Sequence, residues 1–271
     1  LGKGDGTFYP WSTYDVSNSP NGIVSGDLNL DNKPDLVTAD WATNTVSVLM
    51  NTGANGISTL NSEFSNNVYY AVGARPHYLR IQDMNKDRKP DVVTANTDTN
   101  SVSLSLGNGD GTLSNPIFYL VGNAPYGVAI ADFNLDGNQD IVTANNGGNS
   151  ISLLLGYGNG TFSSSVNYNV GNQPYDIAVA DFNNDGRPDI VVDNQGTNTI
   201  SVLLNLVTLP QTTFASCNDY SVGNNPYGTV TGDFNLDGNQ DMQRQTPTNT
   251  LPIFDNWMTP DNKGWNFTIE N

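Results

Sequence analysis

One nine-residue pattern, Asp-x-Asn-x-Asp-x-x-x-Asp, occurs five times in this chain and constrains the fold more than any other feature. The copies lie at 27–35, 83–91, 132–140, 181–189 and 233–241, and their first aspartates are 56, 49, 49 and 52 residues apart. A period of about 50 residues is typical of proteins built from tandem supersecondary units that pack on one another. The sequence therefore predicts five repeats of one small structural unit.

The residues around each copy predict four short β-strands. In every repeat a proline stands seven residues before the first aspartate and opens a turn. In the third repeat the apolar, β-branched segments 127–131, 140–144 and 151–155 follow, and a fourth strand ends at 168–170. Four such strands with turn residues between them are typical of one β-propeller blade. The predicted fold class is all-β, a β-propeller of four-stranded blades with five repeats visible.

The whole chain, 1–271, is assigned to a single β-propeller domain, with repeats at about 17–72, 73–121, 122–170, 171–222 and 223–271. Residues 1–16 match the hairpin and outer strand that end a blade, whereas 242–271 are degenerate and polar where a buried strand is expected. Two arrangements are open. In a five-bladed ring, 1–16 complete the last blade; alternatively the chain is an arc of a six- or seven-bladed ring. We favour the five-bladed ring.

The repeated pattern also predicts a metal site. Three carboxylates and a carboxamide within nine residues would repel one another without a cation, and hard oxygen donors in a flexible loop suit Ca²⁺. Glycine at position 6 of three loops suits a sharp turn, and Arg88 at that position predicts that the second loop binds calcium most weakly. The alternative is a set of acidic turns without metal; five copies with the same spacing favour calcium.

The predicted calcium ligands are the residues at positions 1, 3, 5 and 9 of each loop through their side chains and at position 7 through the backbone carbonyl. They are Asp27, Asn29, Asp31, Lys33 and Asp35; Asp83, Asn85, Asp87, Lys89 and Asp91; Asp132, Asn134, Asp136, Asn138 and Asp140; Asp181, Asn183, Asp185, Arg187 and Asp189; and Asp233, Asn235, Asp237, Asn239 and Asp241. The prediction is therefore up to five bound Ca²⁺.

The composition excludes two classes of partner. The net charge is −17, and the loops hold more than half of the 27 acidic residues. Nucleic acids and anionic membranes attract basic surfaces, so neither is expected to bind. The chain has no apolar run of 18 residues, so no direct membrane insertion is expected. Calcium loops and two glycosylation sequons, at Asn159 and Asn266, favour an extracellular or cell-surface location.

Several stretches resemble a known repeat family. The runs ADFNLDGNQDIVTAN, ADFNNDGRPDIVVDN, ISLLLGYGNGTF and LGNGDGT are similar to the FG-GAP-type repeat, also called the VCBS repeat. Related repeats build the β-propeller at the N-terminal end of integrin α chains and occur in secreted and surface proteins, including some fungal lectins. The resemblance covers residues 1 to about 241. It implies a propeller and calcium, but it indicates function only weakly because one fold hosts many activities.

The direction of the strands predicts two different faces. The turn at the proline of each repeat is called the Pro-Tyr turn, after the sequence found in three repeats. Each first strand runs from this turn to the acidic loop, so the turns lie on the face opposite the loops. That face is expected to collect five aromatic residues beside Asn145, Asn146, Asn149, Asn194 and Asn198. Aromatic rings with nearby amides suit sugar rings; alternatively the rings pack between blades and the amides satisfy turns. The candidate ligand-binding residues are Trp41, Tyr78, Tyr126, Tyr175 and Tyr227.

Three functions are compared. The first is an adhesion or ligand-binding module for a carbohydrate or an extracellular protein, and the second is a calcium-rigidified structural spacer or protein-interaction module. The third, an enzyme, is not expected. Most aspartates are assigned to metal, Glu63 and Glu270 are the only glutamates, and the sole histidine, His77, replaces a turn residue. The sequence therefore predicts no catalytic residues and no enzymatic activity.

Overall fold

The structure is a computed structural model that describes residues 6–7, 13–53, 64–65, 67–207, 213–233, 240–244 and 253–254. Within these ranges the regular elements are all β-strands, and no helix long and apolar enough to cross a membrane occurs there. The strands are β1 (Pro20–Gly26), β2 (Asp35–Asp40), β3 (Thr45–Leu49), β4 (Val68–Ala71), β5 (Pro76–Gln82), β6 (Asp91–Asn96), β7 (Ser101–Ser105), β8 (Ile117–Leu120), β9 (Pro125–Ala131), β10 (Asp140–Asn145), β11 (Ser150–Leu154), β12 (Val166–Asn169), β13 (Pro174–Ala180), β14 (Asp189–Asn194), β15 (Thr199–Leu203), β16 (Asn218–Ser221), β17 (Thr229–Gly232), β18 (Asp241–Arg244) and β19 (Ile253–Phe254).

Each of the first four repeats forms one four-stranded antiparallel sheet in which neighbours in sequence are neighbours in the sheet. We call these sheets blades 1 to 4 (β1–β4, β5–β8, β9–β12 and β13–β16), and β17–β19 form a fifth, three-stranded sheet. The predicted all-β propeller of four-stranded blades is confirmed. Most of 1–16 and 242–271 lies outside the described residues, so the number of blades in the ring stays a prediction.

The blades are held together by apolar side chains on both faces of their central strands. In blade 3, Val142 and Ile151 pack against Ile177 and Ile190 of blade 4. Successive side chains of a strand point to opposite faces, so the intervening residues of the same strands pack against blade 2, as Ile141 does. Every residue of β6, β10 and β14 is consequently buried. The core thus lies between blades and not within any one blade, as expected for stacked repeats.

A repeated hydrogen bond fixes each blade to the next on the Pro-Tyr side. The asparagine in the turn between the second and third strands has a positive φ in all four blades, from 49° to 60°. Its side-chain oxygen accepts a hydrogen bond from the backbone N–H of the residue that precedes the proline of the next repeat. The four bonds run from Arg75 to Asn44, from Ala124 to Asn100, from Gln173 to Asn149 and from Asn225 to Asn198. This bond sets the spacing of the Pro-Tyr turns.

Blade 1 differs from blades 2 to 4 on the face that, in those blades, packs against the preceding blade. Ile23 is 64% exposed, whereas the equivalent Leu79, Val128 and Ile177 are at most 1% exposed because the preceding blade covers them. A groove of about 360 Å³ lies beside Ile23 and is lined mainly by apolar residues, with Tyr14 at one side. Burial at this position therefore depends on a preceding blade.

Candidate functional site

The acidic loops connect the first and second strands of each blade, and their side chains bend back onto the loop backbone. In blade 3, Asp132 accepts hydrogen bonds from the N–H groups of Asp136 and Gly137 at 3.0 and 2.7 Å. Asn134 accepts the N–H of Asp136, and Asp136 accepts that of Asn138. The same bonds recur in blades 1, 2 and 4, so the sequence pattern produces one loop conformation four times.

Positive φ at two positions closes the loop. Position 6 has φ values of 64° at Asn32, 67° at Arg88, 83° at Gly137 and 82° at Gly186, which confirms the turn expected there. Position 4 is also left-handed, at 62° in Leu30, although only non-glycine residues occupy it. Such a backbone is strained for a branched or bulky side chain, and the hydrogen bonds that the carboxylates accept from the loop backbone compensate for it.

The last aspartate of each loop has a different role. Asp140 is fully buried; its Oδ2 accepts the N–H of Phe133, and its Oδ1 accepts the N–H of Gly156 in the hairpin between the third and fourth strands. Asp35, Asp91 and Asp189 make the equivalent pair of bonds. Position 9 therefore fastens the loop to the adjacent hairpin.

Burial and charge crowding raise the pKa of these buried aspartates. Desolvation is the main cause, and the carboxylates at positions 1 and 5 add to it, so that the pKa is about 7 for Asp140 and about 6 for Asp91 and Asp189. A cation at the loop would relieve both effects. In two loops a basic side chain at position 7 supplies part of the positive charge that a cation would bring. Lys33 pairs with Asp31 at 3.5 Å, and Arg187 pairs with Asp185 at 2.6 Å.

The donor set of the loops fits a hard cation. Each amide hydrogen bond occupies one lone pair of a carboxylate that has about four acceptor positions, so acceptor capacity remains. The donors are oxygens of Asp, Asn and the backbone, which are the ligands of Ca²⁺. Among the described residues, no three Asp, Glu, His or Cys side chains converge on one point as a preformed metal cage would. In the fifth loop, Asn235, Asp237 and Asn239 lie outside the described residues, and Asp241 is buried like its equivalents.

The face opposite the loops carries an aromatic cluster, defined here as His77, Tyr78, Tyr126, Tyr175 and Tyr227. Four of these rings occupy the position directly after the proline in blades 2 to 4 and the fifth repeat, and Tyr78 is one residue further on. His77 stacks on Tyr126 with ring centroids 4.2 Å apart, and Tyr175 contacts every other ring of the cluster at 5.3 to 6.3 Å. The structure thus brings four predicted ligand-binding tyrosines together.

Trp41 does not belong to this cluster. It lies in the turn after β2, where the guanidinium carbon of Arg75 lies 4.6 Å from the centroid of its ring. Arg75 is itself paired with Asp98 at 3.2 Å. No ring contact joins Trp41 to the tyrosines within the described ranges, so it forms a separate site on the same face.

The asparagines expected beside the aromatic rings serve the fold. Asn145 and Asn194 are fully buried and donate to serine or threonine hydroxyls of the third strand. Asn149 and Asn198 accept the inter-blade bonds described above, and Asn146 donates to the carbonyl of Pro174 in the next blade. Each of these amides therefore makes at least one hydrogen bond within the protein, and the Oδ1 of Asn194 is the atom among them that is buried without a partner.

A buried acidic pair below the aromatic cluster was not anticipated from the sequence. Asp193 Oδ1 accepts the backbone N–H of Asp176, and Asp176 Oδ2 accepts that of Thr229 in the fifth sheet at 3.3 Å. Arg80 Nη2 lies 4.0 Å from Asp176 Oδ1. Burial, with the nearby Asp176 carboxylate, raises the pKa of Asp193 to about 8. Burial lowers the pKa of His77 to about 4, which leaves its imidazole neutral at pH 7.

Comparison with known protein families decides what these repeats are. The FG-GAP-like repeat family matches residues 83–143 and 132–192, which span blade 2, blade 3 and the start of blade 4. This chain carries FG-GAP-like repeats. No curated protein matches the chain at a significant level.

Solved structures with the same fold are distant in sequence. A protein from Lactobacillus plantarum matches all of this chain and 75% of its own length, with 14% identity and a TM-score of 0.66. An Agrocybe aegerita lectin, described as recognising non-reducing terminal N-acetylglucosamine, matches over 92% of this chain with 19% identity and a TM-score of 0.58. This chain spans 65% of that lectin. At these identities the likeness shows the fold alone.

One further neighbour corrects the sequence analysis. The periplasmic gluconolactonase of Pseudomonas aeruginosa matches over 77% of this chain and 55% of its own length, with 16% identity and a TM-score of 0.53. The prediction that this chain is not an enzyme was wrong. The same fold occurs in a protein named as a lactonase, so the fold does not exclude enzymatic activity. Asp176 and Asp193, which lie outside the acidic loops, were not among the residues considered for catalysis in the sequence.

Proposed function

We propose that this protein is a calcium-binding β-propeller that acts outside the cell as a ligand-binding module for carbohydrate. The observation that carries the proposal is the aromatic cluster. Five rings from four successive repeats meet on one face, and Tyr227 is 38% exposed at its edge. Aromatic walls with a few convergent polar groups are typical of small-molecule sites, and sugar rings offer C–H faces that stack on such rings.

Calcium has a structural role in this proposal. Each loop leads from the first strand into the second strand, and its last aspartate fastens the hairpin between the third and fourth strands. When Ca²⁺ is bound, the oxygens of positions 1, 3, 5, 7 and 9 hold it and the mutual repulsion of the carboxylates is neutralised. The loops and the aromatic cluster lie at opposite ends of the first strands, so calcium would stabilise the scaffold without touching the ligand.

The fold neighbours are compatible with this proposal. The Agrocybe aegerita lectin is described as recognising a sugar, and it has the same kind of fold. An extracellular or cell-surface location follows from the proposed ligand and from calcium loops, because calcium is abundant outside cells and weak sites are filled there. A protein ligand of the same face is the alternative.

A glycan array in millimolar calcium tests the proposal, with Tyr175→Ala and Trp41→Ala as paired variants. Tyr175 contacts every other ring of the cluster, whereas Trp41 is covered by Arg75. We expect a defined sugar class to bind the wild type and the Trp41 variant and to bind the Tyr175 variant at least tenfold more weakly. A blank array from folded, calcium-loaded protein would contradict a carbohydrate ligand and would direct the search to protein partners.

A further inference from the structure

The repeats of this chain differ from one another at a few positions of the first and second strands. Three repeats have glycine two residues after the proline, but blade 2 has Tyr78 and blade 4 has Asp176 there. Two residues further on, Arg80 stands where the other repeats have alanine or valine. In the second strand, Asp193 replaces the alanine of the three preceding blades, Ala39, Ala95 and Ala144. Glycine, alanine or valine completes the blade at these positions in the other repeats. The large or charged residues therefore have another role.

These four exceptions lie together in space. Arg80 reaches Asp176 from two blades away, and Asp193 accepts the backbone N–H of Asp176. The ring of Tyr78 contacts that of Tyr175, the residue before Asp176, with centroids 6.2 Å apart. A glycine in the intervening blade makes room, since a Cβ at Gly127 would lie only 3.0 Å from the Cα of Asp176. The exceptions therefore form one polar cluster below the aromatic rings.

The polar cluster has unmet hydrogen-bonding capacity. Asp193 is fully buried, and its Oδ2 has no hydrogen-bond partner. The Nδ1 of His77, a residue that is 5% exposed, and the Oγ1 of Thr229 are also unpaired. A buried polar atom without a partner destabilises a protein that does not use it. Such atoms next to an aromatic wall indicate a site that is completed by a ligand.

The charge of the cluster selects the ligand. The Asp176 carboxylate faces Arg80, whose guanidinium lies 4.0 Å away, beyond hydrogen-bond distance, with its side chain 34% exposed. Asp193 holds its proton at pH 7, so the negative charge of the pair belongs to Asp176. A protonated amine would bring a closer donor and a second positive charge to Asp176, and tyrosine faces attract a cation in addition.

Resting on the proposed carbohydrate-binding function, we propose that the aromatic cluster and the Asp176–Asp193 pair recognise sugars that carry a free, protonated amino group. The sugar ring packs on Tyr126 and Tyr175, and the ammonium group is directed to Asp176, which lies nearer the surface than Asp193. Asp193 sits behind Asp176 and accepts the backbone N–H of Asp176, which holds that residue in place.

Calorimetric titration with glucosamine trimer and with its fully N-acetylated form tests this inference in mildly acidic buffer, where the free amines of the sugar are protonated. The two trimers differ in charge while sharing the ring skeleton. Asp176→Gly restores the residue of three other repeats, and Asp176→Asn removes the charge while keeping the shape. Asp98→Asn removes a surface carboxylate on the same face outside the cluster and serves as the control for general attraction of cations.

We expect the wild type and Asp98→Asn to bind the free-amine trimer at least tenfold more tightly than the acetylated trimer. Both Asp176 variants should retain the acetylated trimer's affinity and lose the preference. Equal binding of the two trimers by the wild type would overturn this inference while leaving carbohydrate binding intact. Binding of neither trimer, with other glycans bound on the array, would overturn it as well, and a blank array would overturn both proposals.

Discussion

Replacing Asp193 by asparagine should remove a pH dependence from the stability of the protein. Asp193 is fully buried between blade 4 and the fifth sheet, and its carboxyl group holds its proton with a pKa of about 8. In the unfolded chain the same group has a pKa of about 3.9. Asparagine has nearly the same shape, accepts the N–H of Asp176 in the same way and does not titrate.

The sign and size of the effect follow from proton binding. Between about pH 4 and pH 8 the folded protein holds one more proton at Asp193 than the unfolded chain, so the free energy of unfolding falls as the pH rises. The fall is about 1 kcal/mol for each pH unit, or about 2 to 3 kcal/mol between pH 5 and pH 7. Below pH 4 and above pH 8 the contribution of this group no longer changes.

Urea unfolding of both proteins at pH 5, 6, 7 and 8, in the same calcium concentration, measures the effect. The buried loop aspartates also have raised pKa values, but they are common to both proteins and cancel in the difference. We expect the Asp193→Asn protein to gain stability relative to the wild type as the pH rises. A difference that stays constant across the four pH values would show that Asp193 titrates normally and would refute the reasoning.

Three other perturbations separate the parts of the scaffold. Asn145→Ala should cost about 1–3 kcal/mol in urea unfolding, because it leaves buried hydroxyls without their partner; a loss below about 0.5 kcal/mol would contradict this role. Ile177→Thr should lower the free energy of unfolding by about 2 kcal/mol or more, because Ile177 is buried between blades. The matched Ile23→Thr should lower it by less than about 0.5 kcal/mol, because Ile23 is exposed. Equal losses would show that blade 1 is covered like the others. Asp136→Ala should lower the melting temperature in calcium by less than a chelator lowers that of the wild type, since one loop of five is lost; an equal shift would argue against independent loops.

The fold was predictable because the repeat supplies the same evidence five times. A period of about 50 residues, four β-branched segments per period and turn residues between them leave few architectures, and the observed blades follow those segments closely. The positive φ at position 6 of the loops was also predictable, since glycine stands there in three copies. The left-handed residues at position 4 were not, because Leu30 and Leu135 carry no local signal for that conformation.

The candidate site was predictable only in part. The four tyrosines were expected on one face, and the structure brings them together. Trp41 was predicted to join them because it follows a strand that ends on the same face, but it lies against Arg75 instead. The asparagines looked like surface amides because their burial depends on the neighbouring blade. Asp176, Asp193 and Arg80 were not predicted because they lie at positions where the repeats differ, and the shared pattern gives no signal there. Comparing each position across repeats would have marked them, since each replaces a glycine, an alanine or a valine.

The most direct test of the account is the number of calcium ions bound by metal-free protein, measured by calorimetric titration together with elemental analysis of the dialysed complex. Four or five ions per chain, with the weakest site lost in an Asp83→Ala protein, is the result that the account predicts. A chain that binds no calcium at millimolar concentration, and melts at the same temperature with and without chelator, would contradict it.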